Sequence, residues 1–461
     1  MKKFMKKAWP FAVVTSLALT SVVTWGVTRS DVIKADGKAN DPKIKNVIVL
    51  IGDGMGPSYM TAHRYMKDNP KTFEMESTEL DNHLVGTQKT YPEDEHQNIT
   101  DSASAATAMS AGVKTYNAAI AVDNDQAEVK TVLEQAKEQG KSTGLVATSE
   151  ITHATPAAFG AHDISRKNMD AIANDYFDEK INGKHKVDVL LGGGVNNFVR
   201  KDRNLTEEFK KSGYSYVTDR EQLLNDKSDQ ILGLFAPGGL DKMIDRNEKT
   251  PSLEEMTNAA INRLNKNDKG FFLMVEGSQI DWAGHDNDVV GAMSEMEDFE
   301  KAFKAAIEFA KKDKHTLVIA TADHSTGGFS LGVNGEYNFN ANAIKAAKRT
   351  PDFMANEIVK GANVEETLKK YIDLQLTPEE IKSVNDIAPS KDVTKIDNAI
   401  EEIFNKRSFT GWTTGGHTGE DVNVYAFGPG KYLFSGVQEN TNLAKRVFDI
   451  VGGGDPNKGR R

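Results

Sequence analysis

Asn46-Val-Ile-Val-Leu-Ile-Gly52, followed at once by Asp53-Gly54-Met55-Gly56, decides the fold reading of this chain. An unbroken apolar, largely β-branched run without polar alternation is what a strand buried on both faces of a parallel sheet requires. A carboxylate then stands where the run ends. The plan recurs: Phe271–Gly277 carries Glu276 and leads to Asp281 and His285, and Thr316–Thr321 leads into Asp323 and His324. Runs at 143–149, 187–191 and 423–427 read as further parallel strands. Helical patterns alternate with them. Residues 129–139 stop at Gly140, 252–267 open with a Ser-x-x-Glu capping box at Ser252 and Glu255, and 293–314 repeat apolar positions at helical spacing. The expected fold is α/β: a doubly wound, mostly parallel sheet with helices on both faces and a ligand crevice at the carboxyl ends of its strands. Two stretches break the pattern. Residues 196–247 form a polar, helical excursion, and 330–410 are a polar, helix-prone insertion expected on top of the main domain, which spans 36–461.

With 461 residues, 38% of them hydrophobic, the chain can bury a large core. Lys2, Lys3, Lys6 and Lys7 precede an apolar run from residue 8 to 27, the layout of an export signal; Ile33-Lys34-Ala35 is a plausible cleavage site. Left uncleaved, the run is long enough to anchor the chain in a membrane. Either way the globular part is expected outside the cytoplasm. Removing residues 1–35 takes away six basic residues against Asp31, which moves the formal charge from −10 to −15. So acidic a body argues against nucleic-acid binding as the main role. Without cysteine there are neither disulfides nor thiolate ligands, so any metal is held by His, Asp, Glu or hydroxyl groups.

The chemistry-bearing residues fall at strand ends. Gly415-Gly416-His417-Thr418-Gly419 precedes the last strand, so one sheet edge is expected to collect Asp53, Glu276, Asp281, His285, Asp323, His324 and His417. Such a crowd of carboxylates repels unless cations neutralise it. Three histidines with carboxylates suit zinc with open positions, and a spare carboxylate with hydroxyl ligands suits Mg²⁺. Two cations about 4 Å apart form a clamp for in-line phosphoryl displacement. Thr100-Asp101-Ser102 then opens an Ala-rich run through Ala108. Asp-Ser in that position is ordinarily an N-cap, but a serine at a helix N-terminus beside such cations is the natural nucleophile, activated by metal coordination. Thr155 adds a hydroxyl and Arg166 a guanidinium suited to phosphate oxygens. Leu191-Gly192-Gly193-Gly194 lacks the Lys and Ser/Thr of a phosphate-binding loop and reads as a strand-end turn. His63, His83, His96, His162, His185 and His315 are left as structural or exposed.

The stretches IVLIGDGMG (48–56), TDSASAATAMSAGVKTYN (100–117), THATPAAF (152–159) with SRK (165–167), VEGSQIDWAGH (275–285), ATADHSTGG (320–328) and GHTGED (416–421) resemble the bacterial and animal alkaline phosphatases, in order and across nearly the whole chain. The resemblance implies an exported phosphomonoesterase of broad substrate range and alkaline optimum, usually a homodimer, working through a phosphoserine at Ser102. It implies a first zinc on Asp281, His285 and His417. A second would lie on Asp53, Asp323 and His324, with Ser102 as exchangeable ligand. Asp53 would bridge to a third site, usually Mg²⁺, completed by Thr155 and Glu276, and Arg166 would clamp phosphate. Two positions depart from the enteric pattern: His153 and Trp282 stand where an aspartate and a lysine flank the third site, which opens that site to Zn²⁺ or Co²⁺ as well as Mg²⁺. The family's disulfides are absent, and the insertion between His324 and His417 is longer than in the enteric enzymes. The rival readings are a phosphodiesterase or sulfatase of the same superfamily, and a non-catalytic surface protein that binds zinc or phosphate.

Overall fold

Alternate residues of the strand Asn46–Gly52 feed two separate apolar cores. Val47, Val49 and Ile51 pack on one side and Ile48 and Leu50 on the other, all fully buried. A strand with both faces covered makes the unbroken apolar run obligatory. The computed structural model describes residues 43–460; the export signal or anchor read at residues 1–35 lies outside them. Asn46–Gly52 sits centrally in a ten-stranded sheet. Across it the order is Gly436–Glu439, Leu84–Lys89, Val422–Phe427, Thr316–Thr321, Asn46–Gly52, Phe271–Gly277, Ser142–Glu150, Val189–Gly193, Ile231–Leu234 and Ser215–Val217.

Nine of these strands run one way and Val422–Phe427 runs against them, pairing antiparallel with Thr316–Thr321 (Thr321 opposite Val424, Val318 opposite Phe427) and with Leu84–Lys89. This corrects the parallel reading of 423–427. Because the reversed strand begins at the carboxyl edge of its neighbours, the loop carrying His417 lies at that edge. The run expected at 187–191 is shifted to Val189–Gly193, where a Cβ on Gly193 would stand 2.0 Å from the Gly238 carbonyl oxygen. The stretch 196–247 is not wholly a helical excursion. It contributes the strands Ser215–Val217 and Ile231–Leu234, too short to show a periodic signature.

Helix starts follow local chemistry. Thr131 with Glu134, and Ser252 with Glu255, form complete capping boxes ahead of Val132–Glu138 and Leu253–Leu264. Asp288 caps the long helix Val289–Asp313. The insertion is closed at its base by the antiparallel pair Ser330–Leu331 and Thr410–Gly411, with five α-helices and one short 3-10 helix between. Its Ile344, Met354, Leu368, Ile400 and Phe404 join the same core as Phe299 and Phe303, so it is packed into the body of the protein. Among the described residues no helix is long and apolar enough to cross a membrane.

Candidate metal and phosphate site

Three parallel strands deliver carboxylates to one edge: Asn46–Gly52 ends at Asp53, Phe271–Gly277 carries Glu276, and Thr316–Thr321 leads to Asp323 and His324. Helix Gln279–Asp286 follows and places Asp281 and His285 one turn apart on one face. Ser102 is the first residue of helix Ser102–Ala111, whose small side chains are all buried. The cap is Asp101, which accepts from the Ser104 N–H at 3.0 Å. Ser102 therefore stands free at the positive end of the helix.

These residues converge. Ser102 Oγ lies 3.2 Å from His324 Nε2 and 3.5 Å from Asp53 Oδ1. His324 Nε2 is 3.4 Å from Asp53 Oδ1 and 3.2 Å from Asp323 Oδ2. Asp281 reaches His285 Nε2 at 3.3 Å with one oxygen and His417 Nε2 at 3.6 Å with the other. The Nε2 atoms of His285 and His417 are 3.2 Å apart. Their Nδ1 atoms face the carbonyl oxygens of Gly415 (2.7 Å) and Thr100 (2.8 Å). Each carbonyl oxygen accepts a hydrogen bond from Nδ1–H, which turns Nε2 into the site. Asp53 also meets His153 and Glu276 beneath.

Within each of three groups the ligand atoms lie within 4.8 Å of one another: Asp281, His324 and His417; Asp53, Asp323 and His324; Asp53, His153 and Glu276. Asp53 Oδ2, Asp323 Oδ2, Glu276 Oε1, Thr155 Oγ1 and His153 Nδ1 are buried with no hydrogen-bond partner. The orphaned oxygen acceptors among them are costly in a water-excluded site, and cations are the partners that fit them. The charge balance agrees. Burial, with Asp323 and Asp281 nearby, raises Asp53 well above the usual carboxylate range. Burial lifts Glu276 to about 7 and, with Asp281, lifts Asp323 to about 6. Asp281 is held low instead: burial opposes its charge, but the His285 hydrogen bond and the His324 and His417 rings outweigh it. His285 is raised to about 9 by its bond to Asp281. Burial depresses His324 and His417 to about 4.

Arg166 sits at the mouth, with Nη1 donating to Asp101 Oδ2 at 3.0 Å and Nη2 donating to His153 Nε2 at 3.1 Å. Trp282 packs edge-on against the His153 ring at 5.7 Å between centroids. Asp53, Ser102, His153, Arg166, Glu276, Asp281, Trp282, His285, Asp323, His324 and His417 thus lie together at this edge. Reasoning from sequence missed their supports. Asp101 caps the Ser102 helix and holds Arg166, Thr326 Oγ1 donates to Asp281 Oδ1 at 2.5 Å, and Ser278 and Ser149 donate to Glu276 Oε2 at 2.6 and 3.2 Å. An N-cap aspartate beside the serine was visible, but its second bond was not. Elsewhere His63 pairs with Glu300 and His162 with Glu134, both at 2.9 Å.

The chain belongs to the alkaline phosphatase family, which it matches over residues 44–452. It is accordingly a phosphomonoesterase. It is 67% identical to alkaline phosphatase 3 of Bacillus subtilis, over 98% of each chain. Its fold is similar to that of the cold-active alkaline phosphatase of a psychrophilic Shewanella species, with a TM-score of 0.83 and 39% identity over 88% of this chain and all of that one. A histidine-to-aspartate variant of the alkaline phosphatase from the Antarctic bacterium TAB5, with Mg bound in its M3 site, matches at a TM-score of 0.64 and 31% identity, over 89% of this chain and 99% of that one.

Proposed function

We propose that Ser102 is the nucleophile of the phosphomonoesterase reaction and Arg166 its phosphate clamp, over a site for two Zn²⁺ and a third cation, Mg²⁺ or a softer substitute. The supporting observation is the position of Ser102 Oγ, at a helix N-terminus and within 3.5 Å of both His324 Nε2 and Asp53 Oδ1. Asp281, His285 and His417 would hold one zinc, and Asp53, Asp323 and His324 the other. Asp53, Thr155 and Glu276 would hold the third ion, and the Mg-bound TAB5 variant supports a third cation in a relative. Ions there lower the pKa of a bound hydroxyl or water and neutralise charge on the phosphoryl and leaving oxygens.

Ser102 Oγ gives up its proton to water and attacks phosphorus in line, the bond to the ester oxygen breaks, and the departing oxygen takes a proton from water to leave as the alcohol. Arg166, steered by Asp101, spans two equatorial phosphoryl oxygens. Water then attacks the phosphoserine at phosphorus and restores Ser102, and the two inversions leave net retention. The Lys-rich, apolar N-terminus supports export, with the chain either released or anchored, and the family resemblance supports a homodimer. Turnover of a mono- and a diester of one chromophore, before and after chelation and zinc return, tests the reading. Faster diester turnover, or activity indifferent to chelation, overturns it.

A further inference from the structure

A second group of buried carboxylates lies where the insertion meets helix Val289–Asp313. Asp288 Oδ1 accepts the N–H groups of Val290 and Gly291, both at 2.9 Å, while its Oδ2 is buried without a partner. Helix Val393–Ser408 brings up Asp397 and Glu401, one turn apart, and their Oδ1 and Oε1 are likewise buried and unpartnered. Asp288, Asp397 and Glu401 are 2%, 5% and 5% exposed, so water does not solvate them. Asp286 and Asp352 add to the negative field. Lys242 is the cation set against it, with Nζ 3.5 Å from Asp286 Oδ2 and 3.9 Å from Asp288 Oδ2. One ammonium does not balance this many carboxylates. Burial, with Asp286 nearby, pushes Asp288 up to about 6; burial and the charge of Asp288 lift Asp397 to about 8, and burial with the charges of Asp397 and Asp288 lifts Glu401 to about 10.

We propose that Asp288, Asp397 and Glu401 form a site for a hard divalent cation, Ca²⁺ first, separate from the catalytic metals and fastening the insertion to the chain just beyond His285. The donors are all oxygen, without imidazole or thiolate, which selects Ca²⁺ or Mg²⁺ over zinc. Ca²⁺ accepts irregular carboxylate sets more readily than Mg²⁺, which demands octahedral geometry. A cleft of about 580 Å³, lined by His285, Asp286, Asn287, Asn398, Glu401 and Asn405, reaches the group at Glu401 and gives a path by which a cation and its waters can approach. Asn405 Nδ2, donating to the Asn287 carbonyl oxygen at 3.1 Å, already joins the two elements beside the site. A cation there would bind the folded chain and not the unfolded one, and so stabilise the junction.

The test uses the full-length enzyme loaded with zinc and magnesium, equilibrated with Ca²⁺ and desalted, beside the double variant Asp397→Asn/Glu401→Gln. The parent is expected to retain one Ca²⁺ per chain and to gain several degrees in thermal midpoint with Ca²⁺. The double variant loses both responses while keeping its zinc and its turnover. No Ca²⁺ equivalent in the parent, or an equal one in the variant, overturns the proposal. Should the double variant fail to fold, Glu401→Gln alone is expected to weaken Ca²⁺ binding at least tenfold by calorimetry, and unchanged affinity overturns it. Zinc content and turnover are read separately, so a failed catalytic assignment is not mistaken for a failed calcium site.

Discussion

His153 Nε2 lies 3.1 Å from Arg166 Nη2, so the imidazole grouped with Asp53 and Glu276 also holds the Arg166 guanidinium. Burial, then the Arg166 charge, depresses His153 to about 3, so the ring is neutral and accepts from the arginine. Its other nitrogen is an orphan beside Asp53 and Glu276. With Nε2 accepting, Nδ1 carries the ring proton, so the neutral ring gives a nearby Mg²⁺ neither a lone pair nor a charge, and Trp282 offers phosphate no charge. Changing His153 to Asp together with Trp282 to Lys is expected to tighten both Mg²⁺ and phosphate binding. The phosphate inhibition constant and the Mg²⁺ dependence of activity check this; identical values in parent and double variant refute it.

Ser102→Ala should leave fold and metal content intact. The cap is Asp101, so the helix start survives; the loss of the Oγ contacts to His324 and Asp53 is set against a propensity difference of less than about 0.5 kcal/mol in alanine's favour. Turnover should fall by orders of magnitude, read by steady-state assay against zinc content. Near-native turnover would exclude a phosphoserine route.

Arg166→Ala removes two charge-assisted hydrogen bonds of roughly 1.5 to 3 kcal/mol each, about ten- to a hundredfold per bond, so phosphate affinity should fall by about a hundred- to ten-thousandfold. Asp101 keeps its bonds to the Ser104 and Ala118 N–H groups, so the helix start survives. Calorimetry with inorganic phosphate measures the change, and an unaltered isotherm rules the clamp out.

Asp281→Asn weakens contacts to His285 and His417 together and should release one zinc equivalent. Metal analysis of the purified variant decides. Full stoichiometry would place that zinc elsewhere.

Metal removal should make stability pH-dependent. Glu276, raised to about 7, stabilises the fold at acid pH and loses that contribution as pH rises from about 4.5 to 7. His285, raised to about 9, contributes fully below about 6.5 and loses it as pH rises through 9. His324 and His417, depressed to about 4, act the other way, but their gain is complete by about 6.5. Above that pH these terms fall together. The thermal midpoint of the chelated protein is therefore expected to drop between pH 6.5 and 9 while the metal-loaded enzyme holds steady. A flat profile after chelation would show that these groups do not govern the apo state.

The central strands and the ligands at their ends were legible because a doubly buried strand has to be continuously apolar and its polar residues wait until the run stops. Edge strands were not. Ser215–Val217 and Gly436–Glu439 are too short for any period to emerge. The direction of Val422–Phe427 is equally invisible locally, since a buried run reads the same both ways. Arg166 drew its role from the family resemblance alone. Its place is set by distant backbone, its N–H donating to the Ala118 carbonyl oxygen at 2.8 Å, and by Asp101. A segment of loop and turn carries no sign of such partners.

The lone reversed strand has a consequence for the order in which the molecule can come into being. His417 is the last of the gathered side chains to be synthesised, and it reaches the site only once Val422–Phe427 has been laid against Thr316–Thr321. Until then a growing chain carries Asp53, Glu276, Asp281, His285, Asp323 and His324 without the imidazole that closes the set. On the proposed metal assignment, uptake of the full complement would be a checkpoint on completed topology, passed only after a contact spanning roughly a hundred residues has formed.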